Sequence, residues 1–161
     1  MHAIASSEAP GSRVTPRQYD PTRPARLSHS TCAVPTVLIV DDEPNIVELV
    51  RLTLEDEHVR VVEAAAGAAA LARAQAEKPD LVLLDVGLPD MSGLDVCRRL
   101  RRDPGFVLTR IVMLTAMAQR EDVASGLAAG ADHYLTKPFS PVRLLTLVSE
   151  LVPGASSWPR P

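Results

Sequence analysis

"DLVLLDVGLPDMSG", residues 80–93, sets four consecutive apolar residues before an aspartate and then breaks into glycine and proline. An apolar run this continuous does not suit a strand with one wet face; it reads as a strand covered on both sides, as in the middle of a parallel sheet. Asp85 stands at its end, where an uncompensated buried charge costs on the order of several kcal/mol. Either a cap absorbs that carboxylate or a site needs it there.

Outward from this stretch the same pattern recurs. "TVLIV" (36–40) and "RIVML" (110–114) are equally continuous, while "HVRVVEA" (58–64) and "DHYLT" (132–136) are more mixed in polarity, as expected of strands nearer an edge. Helical segments lie between and after them: "PNIVELVRLTLEDE", "GAAALARAQAEK", "SGLDVCRRLRRD", "QREDVASGLAAG" and "SPVRLLTLVSELV". Pro44 suits a first turn and Gly130 a C-terminal stop. Fivefold β/α alternation, joined by right-handed crossovers, gives an α/β fold with a doubly wound five-stranded parallel sheet.

The chain of 161 residues, 46% hydrophobic, can fill one good core. Residues 1–34 are expected to form a disordered N-terminal arm: they are rich in proline and show no apolar period. The arm carries Arg13, Arg17, Arg23 and Arg26 against Glu8 and Asp20, a net +2 that leaves −5 for the remainder of a chain whose total is −3. The folded part, residues 35–152, is thus acidic and a poor match to nucleic acid. Residues 153–161, "PGASSWPRP", read as a flexible tail. Cys32 and Cys97 are far apart and suit neither a disulfide framework nor a zinc site; Cys97 reads as an inert core thiol. There is no stretch of eighteen apolar residues, so a cytoplasmic protein without membrane contact is expected.

In a doubly wound sheet, chemistry gathers beyond the carboxyl ends of the strands. The first strand ends in Asp41 and Asp42, the third in Asp85 and the fourth in Thr115, and the fifth is followed by Lys137 and Pro138. Three carboxylates on one edge repel one another unless a cation sits among them. Oxygen ligands without histidine or thiolate favour Mg²⁺. Lys137 and Thr115 offer a charge and a donor suited to a phosphoryl group, which makes Asp85 a candidate nucleophile forming an aspartyl phosphate.

These residues sit in stretches, "VLIVDDEPNI", "LVLLDVGLPDMSGLDVCRRLR", "IVMLTA" and "GADHYLTKPFSPVRLL", that together resemble the receiver domain of bacterial two-component response regulators over roughly residues 35–152. The resemblance implies strand order 2-1-3-4-5, with Asp85 accepting a phosphoryl group from a sensor histidine kinase or phosphotransfer protein. It implies Asp42, Asp85 and the Gly87 carbonyl as direct Mg²⁺ ligands and Asp41 acting mainly through water. Thr115 and Lys137 would hold the phosphoryl oxygens. Tyr134 would be the aromatic switch, turning inward as Thr115 moves, and the Lys137–Pro138 bond would be cis. The chain departs from the family at Gly87, often a larger residue such as Met or Asn; Met117 follows Thr115 by two.

Singly, each residue has an ordinary reading. Asp41 and Asp42 suit a helix cap, Asp85 a turn, Thr115 and Tyr134 a strand, and Lys137 the surface. Their convergence favours a site. A haloacid-dehalogenase-type phosphatase would need a second aspartate where Gly87 stands, and a nucleotide-binding domain a Gly-rich loop where "VDDEPN" places carboxylates. A degenerate receiver serving only for docking is at odds with the complete set of five residues. The reading is a signalling phosphoacceptor, not an enzyme, with slow autodephosphorylation; its output is protein contact or, as part of a longer regulator, transcription or an enzyme activity. The last helix has apolar residues over more than one face, so an exposed apolar partner surface is expected there, for an effector or a second copy. Receivers of winged-helix regulators use an arginine and acidic ladder on this face, but Val123 and Leu147 stand where arginines are expected.

Overall fold

The computed structural model describes residues 34–56, 58–116 and 120–152, leaving aside the side chains of residues 120–123. The expectations for the arm up to residue 33, for the tail 153–161, and for Cys32, Met117 and the Val123 side chain lie outside the described residues. Five strands, β1 (Thr36–Val40), β2 (Arg60–Ala64), β3 (Leu81–Asp85), β4 (Arg110–Thr115) and β5 (His133–Thr136), form one parallel sheet of order β2-β1-β3-β4-β5. The helices are α1 (Pro44–Leu54), α2 (Gly67–Glu77), α3 (Gly93–Arg102), α4 (Arg120–Ala128) and α5 (Pro141–Leu151). The mixed-polarity strands β2 and β5 are the two edges, as expected.

The continuous apolar runs are explained by two cores, one on each face of the sheet. Val37, Ile39, Leu81, Leu83, Val112 and Leu114 pack with α1 and α5. Leu38, Val40, Val82, Leu84, Ile111 and Met113 point the other way and meet α2 and α3. Adjacent side chains of a strand alternate between faces, so a strand covered twice must be apolar at every position. Cys97 lies in the second core, where burial pushes its thiol up to about 11.

Two boundaries differ from the periodicity. α1 stops at Leu54 instead of running on to residue 57, because the Asp56 carboxylate accepts from the N–H groups of His58 and Val59 at 2.7 and 2.9 Å and closes a turn. A 3-10 turn, Pro104–Phe106, follows α3 and buries Phe106. Gly130 does end the helical stretch, with φ of 99°, and the Lys137–Pro138 bond is cis.

The expected apolar outer face on α5 is corrected. Leu144, Leu147, Val148, Leu151 and Val152 are all buried, and Leu145 packs against the same core. The helix is covered by both β5 and α1, so the width of its apolar stripe goes into the core; the exposed positions are Pro141, Val142, Arg143, Thr146 and Glu150. Leu147 is thus a core residue and not a surface probe. A single exposed apolar side chain is ordinary. Val142→Asp at this 55% exposed site is expected to change unfolding free energy by no more than about 0.5 kcal/mol, read by chemical denaturation.

Candidate functional site

Register brings the chemistry together. Val40 of β1 pairs with Leu84 of β3, so the next residues along, Asp41 and Asp85, stand side by side. Asp85 pairs with Leu114 and Thr115 with Thr136, which sets Thr115 and Lys137 one step further on. The Lys137 N–H donates to the Thr115 carbonyl at 2.6 Å. Carboxylate oxygens of Asp41, Asp42 and Asp85 lie within 4.8 Å of one another. Asp42 is exposed, whereas Asp41 and Asp85 are buried.

Lys137 is the local counter-charge. Its Nζ lies 2.6 Å from Asp41 Oδ2, 3.0 Å from Glu43 Oε1 and 3.5 Å from Asp85 Oδ1. Asp41 Oδ2 is buried, and the Lys137 ammonium is the partner that balances it. Asp41 Oδ1 takes the N–H of Glu43 at 2.9 Å. That bond closes a local turn ahead of α1, whose N-cap is Glu43 with no side-chain cap, so the capping reading of Asp41 and Asp42 is corrected, and the other Asp41 oxygen faces the cluster.

The charges shift one another. Burial, and then the Asp41 carboxylate, raise Asp85 above the ordinary carboxylate range, against the opposing pull of Lys137 and the Gly87 N–H. Burial works against the charged form of Lys137, but hydrogen bonds to Asp41 and Glu43 and the charge of Asp85 outweigh it, and its pKa is raised. An excess of carboxylate over cation is built into the pocket.

Gly87 lies two residues past Asp85 in an open place: a Cβ there would meet nothing within 4 Å. Tyr134 on β5 has its ring against Gly126 of α4, whose added Cβ would lie 3.1 Å from the ring, and it pairs with Met113 of β4 and packs on the core that holds it. Its hydroxyl is buried with no hydrogen-bond partner among the described residues. Glu43 was not singled out by its sequence position; its signal is a third carboxylate directly after the Asp41–Asp42 pair. The described groups also include an elaborate anchor at the opposite edge, where Arg101 donates to the carbonyls of Gly130, Thr109 and Phe106 and pairs with Asp132 at 2.5 Å.

A parallel sheet of this order, with three aspartates, a threonine and a lysine at the carboxyl ends of its strands, has the architecture of a two-component signalling receiver. The chain belongs to the response regulator receiver domain family, whose model matches residues 37–149. It is 49% identical over 106 residues to the probable transcriptional regulatory protein TcrX of Mycobacterium tuberculosis, covering 65% of this chain and 44% of that one. It is 47% identical over 105 residues to the alkaline phosphatase synthesis transcriptional regulatory protein PhoP of Bacillus subtilis, covering 65% and 43%. The chain spans about half the length of the curated relatives it matches. Among solved structures, the chemotaxis protein CheY4 of Vibrio cholerae superposes with a TM-score of 0.71 at 37% identity, over 74% of this chain and all of that one. The BeF3-activated receiver domain of DrrB gives 0.68 at 35% identity, over 75% and 99%. Among the described residues, no helix is long and apolar enough to cross a membrane.

Proposed function

We propose that this receiver takes a phosphoryl group onto Asp85 from the phosphohistidine of a sensor kinase or phosphotransfer protein, in a Mg²⁺-dependent step. The observation that carries this is the meeting of Asp85 with Asp41, Asp42 and Lys137 at one edge of the sheet. An all-oxygen donor set of three carboxylates against one ammonium suits a hard divalent cation. Asp42, Asp85 and the Gly87 carbonyl would hold Mg²⁺ directly, with Asp41 acting through water. The ion supplies positive charge that relieves carboxylate repulsion and screens the phosphoryl oxygens.

An Asp85 oxygen attacks phosphorus, the bond from phosphorus to the donor nitrogen breaks, and its electron pair returns to the imidazole. Lys137 exchanges part of its contact with Asp41 and Asp85 for a phosphoryl oxygen, and the Thr115 hydroxyl donates to another. Movement of Thr115 toward the phosphoryl group gives Tyr134 room beneath α4, coupling the site to the surface of α4, β5 and α5. That surface is polar on α5, so contact through it, with an effector or a second copy, would weaken with salt.

With acetyl phosphate and Mg²⁺, intact mass spectrometry is expected to show one added phosphoryl group per chain, and EDTA to prevent it. Failure to label, or labelling that EDTA leaves untouched, would sink the proposal. A second reading, that the domain is the receiver of a longer regulator of transcription, is favoured by relatives about twice the length matched here. The DNA contact would then belong to the other part, in keeping with the acidic balance of this one.

A further inference from the structure

The helix α2 begins without a cap of its own. Its N-cap residue is Ala66, which has no side-chain acceptor, and orphan N–H groups at a helix start need partners. They find them in Asp90, from the loop that follows Asp85: Oδ1 accepts from the Gly67 N–H at 2.7 Å and Oδ2 from the Ala68 N–H at 2.9 Å. Both oxygens of one exposed carboxylate are committed to a neighbouring helix.

The same loop is held at its base. Gly87 and Ser92 form an antiparallel bridge, and the Gly93 N–H donates to the Val86 carbonyl at 2.9 Å. Beside the Asp90 contact the two segments touch with no room between them, since a Cβ on Gly67 would lie 2.4 Å from Met91 Cγ. Residues 86–92 are therefore pinned at the base by their own backbone and at the tip by α2.

We infer that Asp90 is a positioning residue for the metal site, its two-oxygen cap on α2 fixing the loop that presents the Gly87 carbonyl. This rests on the reading that Asp41, Asp42, Asp85 and Gly87 hold Mg²⁺. A loop already ordered in the free protein does not have to be ordered when the ion binds, so affinity is higher. Outer groups that orient ligands commonly matter on the order of tenfold to a hundredfold in metal affinity. The N–H groups of Ala68 and Gly67 also hold the Asp90 carboxyl below the usual carboxylate range, so the cap stays ionised through neutral pH.

The test is Mg²⁺ affinity by titration calorimetry on the full chain, with thermal melts of each variant. Asp90→Ala is expected to weaken Mg²⁺ binding on the order of tenfold, and Asp90→Asn, which keeps one acceptor oxygen, less. Ala72→Gly, at an exposed interior position of α2, weakens that helix without touching the loop; it is expected to lower the melting temperature and leave affinity within about twofold of the parent. Hydrogen exchange adds an independent readout: the Gly67, Ala68 and Gly87 amides should exchange faster in Asp90→Ala. If the parent binds Mg²⁺, Asp42→Asn loses it and Asp90→Ala does not weaken it, the Asp90 role is overturned and the metal reading stands. If Ala72→Gly weakens binding as much as Asp90→Ala, the effect is general destabilisation and the role is likewise overturned. If the parent binds no Mg²⁺, the metal reading fails and takes this inference with it.

Discussion

Replacing Asp85 by asparagine is expected to abolish phosphoryl acceptance while raising, not lowering, the melting temperature of the metal-free domain. The first half follows from chemistry: an amide lacks the anionic oxygen that attacks phosphorus, so labelling by acetyl phosphate and Mg²⁺ should fall to background. The second follows from burial and crowding. Asp85 is 8% exposed, beside Asp41, and these two influences raise its pKa in the folded state despite Lys137. A folded carboxyl that holds its proton more tightly than the unfolded chain gives stability present at low pH and lost as pH rises through the raised folded value. At neutral pH the charged Asp85 is therefore a net cost to the fold. Asparagine removes that cost and leaves Lys137 its contacts with Asp41 and Glu43. Melts in EDTA should show the variant ahead at pH 7, with the gap shrinking on acidification into the window where Asp85 of the parent is protonated. Residual labelling of the variant would move the acceptor elsewhere, and a lower melting temperature at pH 7 would mean that the Lys137 pair outweighs desolvation.

The parallel sheet and the convergence of Asp41, Asp42, Asp85, Thr115 and Lys137 are legible in the residues, whereas the strand order 2-1-3-4-5 comes from the resemblance to receivers. Continuous apolar runs of strand length suit doubly covered strands, and register carries each following residue to a common edge. What stayed hidden depends on long-range contact. Nothing in "RRLRRD" distinguishes Arg101 from Arg98, Arg99 and Arg102, yet Arg101 is the one that donates to the carbonyls of Gly130, just past α4, and of Phe106 and Thr109, ahead of β4. Asp90 looks like a turn residue because its partners lie 22 and 23 positions away. The apolar excess of α5 suggested an outer surface, because the period of a helix does not reveal whether it has one neighbour or two. Here α1 and β5 flank it, and the excess goes inward.

Gly93 shows the same limit with a larger consequence. In the helical segment "SGLDVCRRLRRD" it is simply the residue after Ser92, with no sign of what lies behind it. In the fold it opens α3 directly behind the phosphoacceptor: a Cβ at Gly93 would lie 1.9 Å from the Asp85 carbonyl oxygen, 2.8 Å from its carbon and 3.0 Å from Val86 Cα. Every one of these atoms is backbone, at the end of a central strand covered on both faces or one residue past it, so no side chain can swing aside. Alanine would gain up to about 1 kcal/mol in helix propensity, but opening the gap means moving β3 or the start of α3. Gly93→Ala is expected to cost about 3 kcal/mol or more, a fall in melting temperature on the order of 10 °C, since packed cores resist even one extra carbon. Another glycine calibrates the result. At Gly87 a Cβ meets nothing within 4 Å. Gly87→Ala should stay within about 0.5 kcal/mol of the parent. The displaced Asp85 carbonyl should also leave any folded fraction of Gly93→Ala slower to accept phosphate than Gly87→Ala. If Gly93→Ala melts within about 2 °C of the parent, a shift well under 1 kcal/mol for a domain this size, the contact between α3 and the nucleophile's backbone is looser than these distances imply.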